Sequence, residues 1–159
     1  MTFRIRDFDA AADRQAALSF IMGSQAYEHE VEPNRRLDEG VATEYFAELV
    51  QELAQKQGRA FVAEREGAVI GWGVLVVEEG PVFVTEAERP YAYITELFVT
   101  EAARGLGVGQ ALIAACEEEA RRLGLKQIMI GALSGNRRTM DIYGRAGYRP
   151  YTEELRKYL

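Results

Sequence analysis

The residues with the plainest chemical meaning are a run of alternating glycines, Arg104-Gly105-Leu106-Gly107-Val108-Gly109-Gln110. Glycine lets a backbone approach a ligand closely and turn its N–H groups toward it. A helical pattern starts directly after the run, so the free N–H groups and dipole of its first turn favour a bound anion there. Two nucleotide-binding loops compete for this pattern, and both fail on residues. A phosphate-binding NTPase loop ends in Gly-Lys-Ser/Thr, whereas Gly109 is followed by Gln110 and Ala111. The dinucleotide fingerprint Gly-x-Gly-x-x-Gly, counted from Gly105, ends on Gln110; counted from Gly107, it ends on Leu112. A tight strand-to-helix turn that binds nothing stays open as the plain alternative. His29 stands among Glu28, Glu30 and Glu32, but consecutive helical positions point in different directions and the chain has no second histidine, so no metal is expected. The single cysteine, Cys116, lies on the apolar side of a helical pattern with no histidine near it, and reads as a small core residue.

Periodicity outlines the elements that must hold this turn. Phe3 and Ile5 alternate with Arg4 and Arg6 in a short strand. Asp9 is positioned to cap a helix through Leu18, Ile21 and Met22, which Pro33 and Asn34 break. Asp38 caps a second helix with Val41, Tyr45, Phe46, Leu49 and Leu53 on its apolar face, and Gly58 ends it. Residues 60–63 and 68–77 read as strands joined by a turn at Glu66-Gly67. Residues 80–90 form a loop carrying Glu86 and Glu88, and residues 91–100 form a strand rich in Tyr, Ile, Thr, Phe and Val. After the glycines comes a helix with Leu112, Ala115, Cys116 and Leu123 inward, capped by Gly124. A buried strand over 126–133, a helix over 136–145 and a final extended segment over 148–159 complete the order. The strand-helix-strand unit over 91–133 requires parallel pairing through a right-handed crossover, while the hairpin requires antiparallel pairing. The fold class that follows is α/β, with a mixed, mostly antiparallel central sheet flanked by helices.

Bulk composition narrows the function. The 159 residues suit a single domain, and 48% hydrophobic with 28% charged residues is ordinary for a globular protein. A net charge of −6 argues against nucleic acid or anionic membrane as a partner and is compatible with a cationic small substrate. One cysteine forms no intrachain disulfide. With no apolar run for a signal peptide or a membrane span, a cytoplasmic location is expected.

The flanks of the glycine run decide its reading. Glu96-Leu97-Phe98-Val99, followed by Arg104-x-x-Gly107-x-Gly109, resembles the signature of the GNAT superfamily of N-acetyltransferases. Downstream, Asn136, Tyr143 and Gly147-Tyr148 resemble that family's second signature. The resemblance implies a parallel strand pair that splays to admit acetyl-CoA, the acyl donor. By the same resemblance Arg104 and the backbone of Gly105, Leu106, Gly107, Val108, Gly109 and Gln110 would hold its pyrophosphate. Leu97, Phe98 and Val99 would bond the pantetheine arm, and Asn136 would contact the donor beyond the gap. Tyr143 falls on the family's usual proton donor to the departing thiolate; otherwise it is a core aromatic beside Met140 and Ile142.

For the general base, the other places used in the family hold Tyr93, Thr95 and Gly131, none a carboxylate, which leaves Glu96. A solvated strand-end acid, and deprotonation through water, stand beside that assignment. The implied function is direct acetyl transfer to an amine of a small molecule. Transfer to a protein or peptide amine, a non-catalytic acyl-CoA-binding domain and a homodimer stay open. The first two helices and the loop over 80–90 would cover the acceptor, and the acids around that loop, Glu78, Glu79, Glu86 and Glu88, would draw in a cationic one. Tyr45, Phe46, Tyr91 and Tyr93 belong either to the core or to the acceptor pocket, and their spacing favours core for most of them.

Overall fold

A computed structural model describes residues 2–159. Strand β1 (Arg4–Asp7) is followed by helices α1 (Arg14–Val31) and α2 (Gly40–Gln55). Strands β2 (Arg59–Arg65), β3 (Ala68–Glu79) and β4 (Pro90–Val99) come next, then helix α3 (Val108–Arg122), strand β5 (Ile128–Ile130) and helix α4 (Arg137–Arg145). The sheet order is β1-β2-β3-β4-β5, antiparallel except for the parallel β4–β5 pair. The β2–β3 hairpin turns on Glu66 (φ 53°) and Gly67 (φ 80°), two successive left-handed residues whose twist matches that of the strands. No helix among the described residues is long and apolar enough to cross a membrane.

Two apolar layers sandwich the sheet. On one face, Phe20 and Ile21 of α1 and Phe46 and Leu49 of α2 pack over Trp72 and Val74. On the other, Val108, Leu112 and Cys116 of α3 pack over Ala92 and Ile94. Glycine at position 73 lets α3 sit directly on β3, since a Cβ there would meet Cys116 Sγ and Leu112 Cβ, both at 3.4 Å.

Three expected details come out differently. The strand expected over 126–133 contracts to Ile128–Ile130, because its ladder with β4 runs only from Ala92↔Ile128 to Ile94↔Ile130. The segment 148–159 joins no sheet; Tyr151, Leu155 and Tyr158 are exposed, and Arg156 ties the segment to Glu32 at 2.7 Å. Asp9 accepts hydrogen bonds from the Ala11 and Ala12 N–H groups at 2.8 Å, closing a turn that precedes α1. The helix itself begins after Asp13, whose carboxylate is taken by Arg6.

The irregularity with the largest consequence lies in β4. Val74 pairs with Glu96 but Leu75 pairs with Ile94, so Thr95 is an extra residue, a β-bulge. Side chains alternate faces along a strand, and the extra residue reverses that alternation. Ala92 and Ile94 face α3, as do Leu97 and Val99, while Glu96 and Phe98 turn toward α1 and α2. Without Thr95 in the bulge, Glu96 would share the face of Ile94 and point at the α3 layer.

Candidate functional site

Past Ile94↔Ile130 the parallel pair separates, while β4 continues to Val99. The gap opens on a cavity of about 340 Å³ bordered by α1, α2, β4, β5 and α4. Glu96 and Tyr143, from elements far apart in sequence, both line it.

Tyr45 of α2 donates its hydroxyl to Glu96 Oε1 at 2.8 Å. Burial pushes the Glu96 carboxyl up from 4.5 to about 7; the Tyr45 hydrogen bond works against this, and the nearby Glu28 charge adds to it. A group balanced near neutrality both accepts and releases a proton readily. Tyr143 is buried, and its hydroxyl has no hydrogen-bond partner among the described residues. Burial first, then the fields of Glu28 and Glu96, push its phenol up to about 12, so it remains a neutral donor near pH ~7. The remaining base positions hold no competitor. Thr95 Oγ1 points to Val74 O at 3.5 Å, within the bulge, and the Tyr93 hydroxyl lies over Gly131, where a Cβ would come within 2.6 Å of it.

The glycine run lies at the far end of β4. Gly105 (φ 76°) and Gly107 (φ 82°) adopt left-handed conformations, and Gly107 is the N-cap of α3 with no side-chain cap. The first-turn N–H groups of Val108, Gly109 and Gln110 therefore lack intrahelical partners. A Cβ on Gly109 would touch only Val99 Cγ2, at 3.7 Å, so packing within the protein does not require glycine there. Arg104 is exposed and reaches back to Val99 O at 3.3 Å, and Leu106 is exposed beside it.

Leu97 and Val99 send their side chains into the α3 layer, and Phe98 stacks on Phe20 with ring centroids 5.2 Å apart. Their backbone edge on the β5 side, beyond Ile94↔Ile130, has no strand partner. Asn136 is buried, and its Oδ1 accepts from the Thr139 N–H at 3.2 Å and the Tyr27 hydroxyl at 3.1 Å. Its carboxamide oxygen is thus occupied in capping α4, leaving Nδ2 for any further contact.

Helical spacing with Phe46 and Leu49 favours a core role for Tyr45, and Glu28 carries no signal of its own; the fold brings both to the site. The signal available in the sequence is the stripe Val41, Glu44, Tyr45, Glu48, polar where a packed face should be apolar. The acids around the 80–90 loop do not border the cavity: Glu78 pairs with Lys56 and Glu79 with Arg89. Cys116 is buried with its thiol pushed up to about 12 by burial, the opposite of an activated nucleophile.

Residues 24–148 match the family described as Acetyltransferase (GNAT) family. A curated relative named IAA acetyltransferase, from Azospirillum brasilense, is 32% identical over 81 residues, 51% of this chain and 48% of that protein. The chain thus spans about half the length of that relative. Among solved structures, a mutant of the BH1408 protein from Bacillus halodurans superposes with a TM-score of 0.83 at 21% identity, covering 98% of this chain and 99% of that one. A "predicted acetyltransferase with acetyl-CoA" from Clostridium acetobutylicum has a TM-score of 0.76 at 20% identity, covering 99% and 96% of the two chains.

Proposed function

Because the chain belongs to the GNAT family of acetyltransferases, we propose that it is one catalytic domain moving an acetyl group from acetyl-CoA directly to an amine of a small molecule. The observation that carries this reading is the meeting of Glu96 and Tyr143 on one cavity at the β4–β5 gap. The residues fit the donor. An uncapped helix start behind two left-handed glycines, with Arg104 beside it, suits a diphosphate. The unpaired backbone edge of Leu97–Val99 suits an extended amide-bearing arm. Asn136 Nδ2 is the part of that side chain available to the donor. The Clostridium fold relative carrying acetyl-CoA supports the same donor.

Bound acetyl-CoA supplies a thioester, whose acyl carbon accepts the amine as the sulfur departs. Glu96, ionised above about 7, takes the proton that the attacking nitrogen must lose. Tyr143, neutral across the same range, gives its phenolic proton to the departing sulfur. Tyr45 holds the Glu96 carboxylate in place. A cavity of about 340 Å³ is at the small end for ligand sites, which favours a small acceptor.

The test is release of free thiol from acetyl-CoA in the presence of an amine panel. Tyr143→Phe is expected to lower turnover by about 10²–10⁴-fold while CoA affinity in calorimetry stays close to wild type. Unchanged turnover would reduce Tyr143 to a packing residue. CoA binding without thiol release for any amine would identify a non-catalytic acyl-CoA-binding domain.

A further inference from the structure

The wall of the cavity away from the thioester gap is acidic. On α2, Val41, Glu44, Tyr45 and Glu48 lie at i, i+3, i+4 and i+7, one stripe along one face, and Glu28 of α1 joins them. With Glu96, four carboxylates border the cavity against one guanidinium, that of Arg36. Arg36 is already held by Asp38 at 2.8 Å and by Glu44 at 2.6 Å, and Glu28 is held by Arg35 at 2.7 Å. Glu48 has no ion-pair or hydrogen-bond partner among the described residues. Counting the paired groups, five acids (Glu28, Asp38, Glu44, Glu48, Glu96) face two bases (Arg35, Arg36), a net charge of −3 when Glu96 is ionised.

An independent feature marks the same cavity as a ligand site. Tyr143 is only 9% exposed, borders the cavity, and has no partner for its hydroxyl among the described residues. The Glu28 charge is felt at Glu96, Tyr45 and Tyr143 alike, so the acidic wall and the reacting groups share one field. Glu48 lies three residues past Tyr45, about 5 Å along the helix axis, and Tyr45 bonds Glu96.

We propose that the acceptor carries a second protonated nitrogen besides the reacting amine, a small di- or oligoamine whose distal cation is held at Glu48 between α1 and α2. The inference rests on the reading of this cavity as the acceptor site. The distal cation anchors on the free Glu48 carboxylate, with Glu28 and Glu44 adding to the field, and leaves the proximal amine at Glu96. An acceptor with a distal carboxylate meets like charge along the whole wall.

The probes are 1,3- to 1,6-diaminoalkanes, with the matched monoamines and ω-amino acids, in the thiol-release assay. For the best chain length, kcat/KM is expected to be about 2- to 5-fold higher for the diamine than for the monoamine, as for one ion pair at an exposed carboxylate, and lowest for the amino acid. Glu48→Gln is expected to lower the diamine-to-monoamine ratio, with thermal stability at the wild-type level because the side chain is exposed and unpaired. Added salt should lower that ratio more in the wild type than in the variant. Equal kcat/KM for diamine and monoamine, a ratio unaffected by Glu48→Gln, or turnover of monoamines but of no diamine overturns the inference. Failure to bind CoA, or CoA binding with no thiol release for any amine, overturns instead the acetyl-transfer reading beneath it.

Discussion

Replacing Glu96 with Gln should raise stability and lower activity in the same pH range. Native Glu96 keeps its proton up to about 7, against 4.5 for an unperturbed glutamate. Between those values the native state binds more protons than the unfolded chain, so stability falls as pH rises through the window. Above it, wild type bears the whole cost of an ionised carboxylate in this site. The separation between 4.5 and about 7 corresponds to at most about 3.5 kcal/mol, at ~1.4 kcal/mol for each tenfold change. Gln keeps the shape and can still accept from Tyr45, but carries no charge. Urea melts should therefore show Glu96→Gln more stable than wild type by up to about 3.5 kcal/mol near pH ~8.5, with the gap closing below about pH 4.5. In thiol-release assays, the acidic limb of wild-type kcat/KM centred near 7 should vanish in the variant. What remains is the limb of the amine's own deprotonation at higher pH, where the variant recovers much of its rate. A Glu96→Gln protein less stable than wild type near pH ~8.5 would refute the burial argument. A pH profile parallel to wild type, however low, would refute the base assignment.

Two other perturbations probe the same geometry. Tyr45→Phe removes the hydrogen bond that favours ionised Glu96; at ~1.5–3 kcal/mol for a bond to a charged group, the acidic limb should move up by about one to two pH units, and an unmoved limb would show that Tyr45 does not act on Glu96. Gly109→Asp places a carboxylate at the start of α3 where a Cβ meets nothing closer than Val99 Cγ2 at 3.7 Å, so the fold should persist while calorimetric CoA binding is lost; near-native affinity would remove the diphosphate from this helix start.

What could be read along the chain was set by short-range physics. The Glu66-Gly67 turn needs two left-handed residues, and local sterics decide which residues tolerate that. The end of α3 follows from Gly124 (φ 74°) in the left-handed position just past the helix. After α2 that position falls on Gln57 (φ 49°), one residue before the expected Gly58, and α2 starts after Glu39 rather than at an Asp38 cap. The strand, glycine run and helix after it form one local unit, which is why that strand-turn-helix arrangement was legible from residues 91 to 122.

The cavity around Glu96 was decided by contacts between elements remote in sequence. Tyr45 meets Glu96 across 51 residues, and only the packing of α2 over the sheet joins them. The face that Glu96 occupies depends on the β3–β4 register, because one unpaired residue, Thr95, reverses the alternation that a sequence pattern assumes. The length of β5 depends on where β4 stops pairing with it, and 148–159, extended in pattern, finds no strand to pair with. The order of elements and the glycine turn before α3 are properties of the linear chain, because turns and helix starts are governed by neighbouring residues. Which carboxylate meets which hydroxyl, and which acids border the cavity, emerged with folding alone, because burial, register and charge proximity exist only once distant segments have packed.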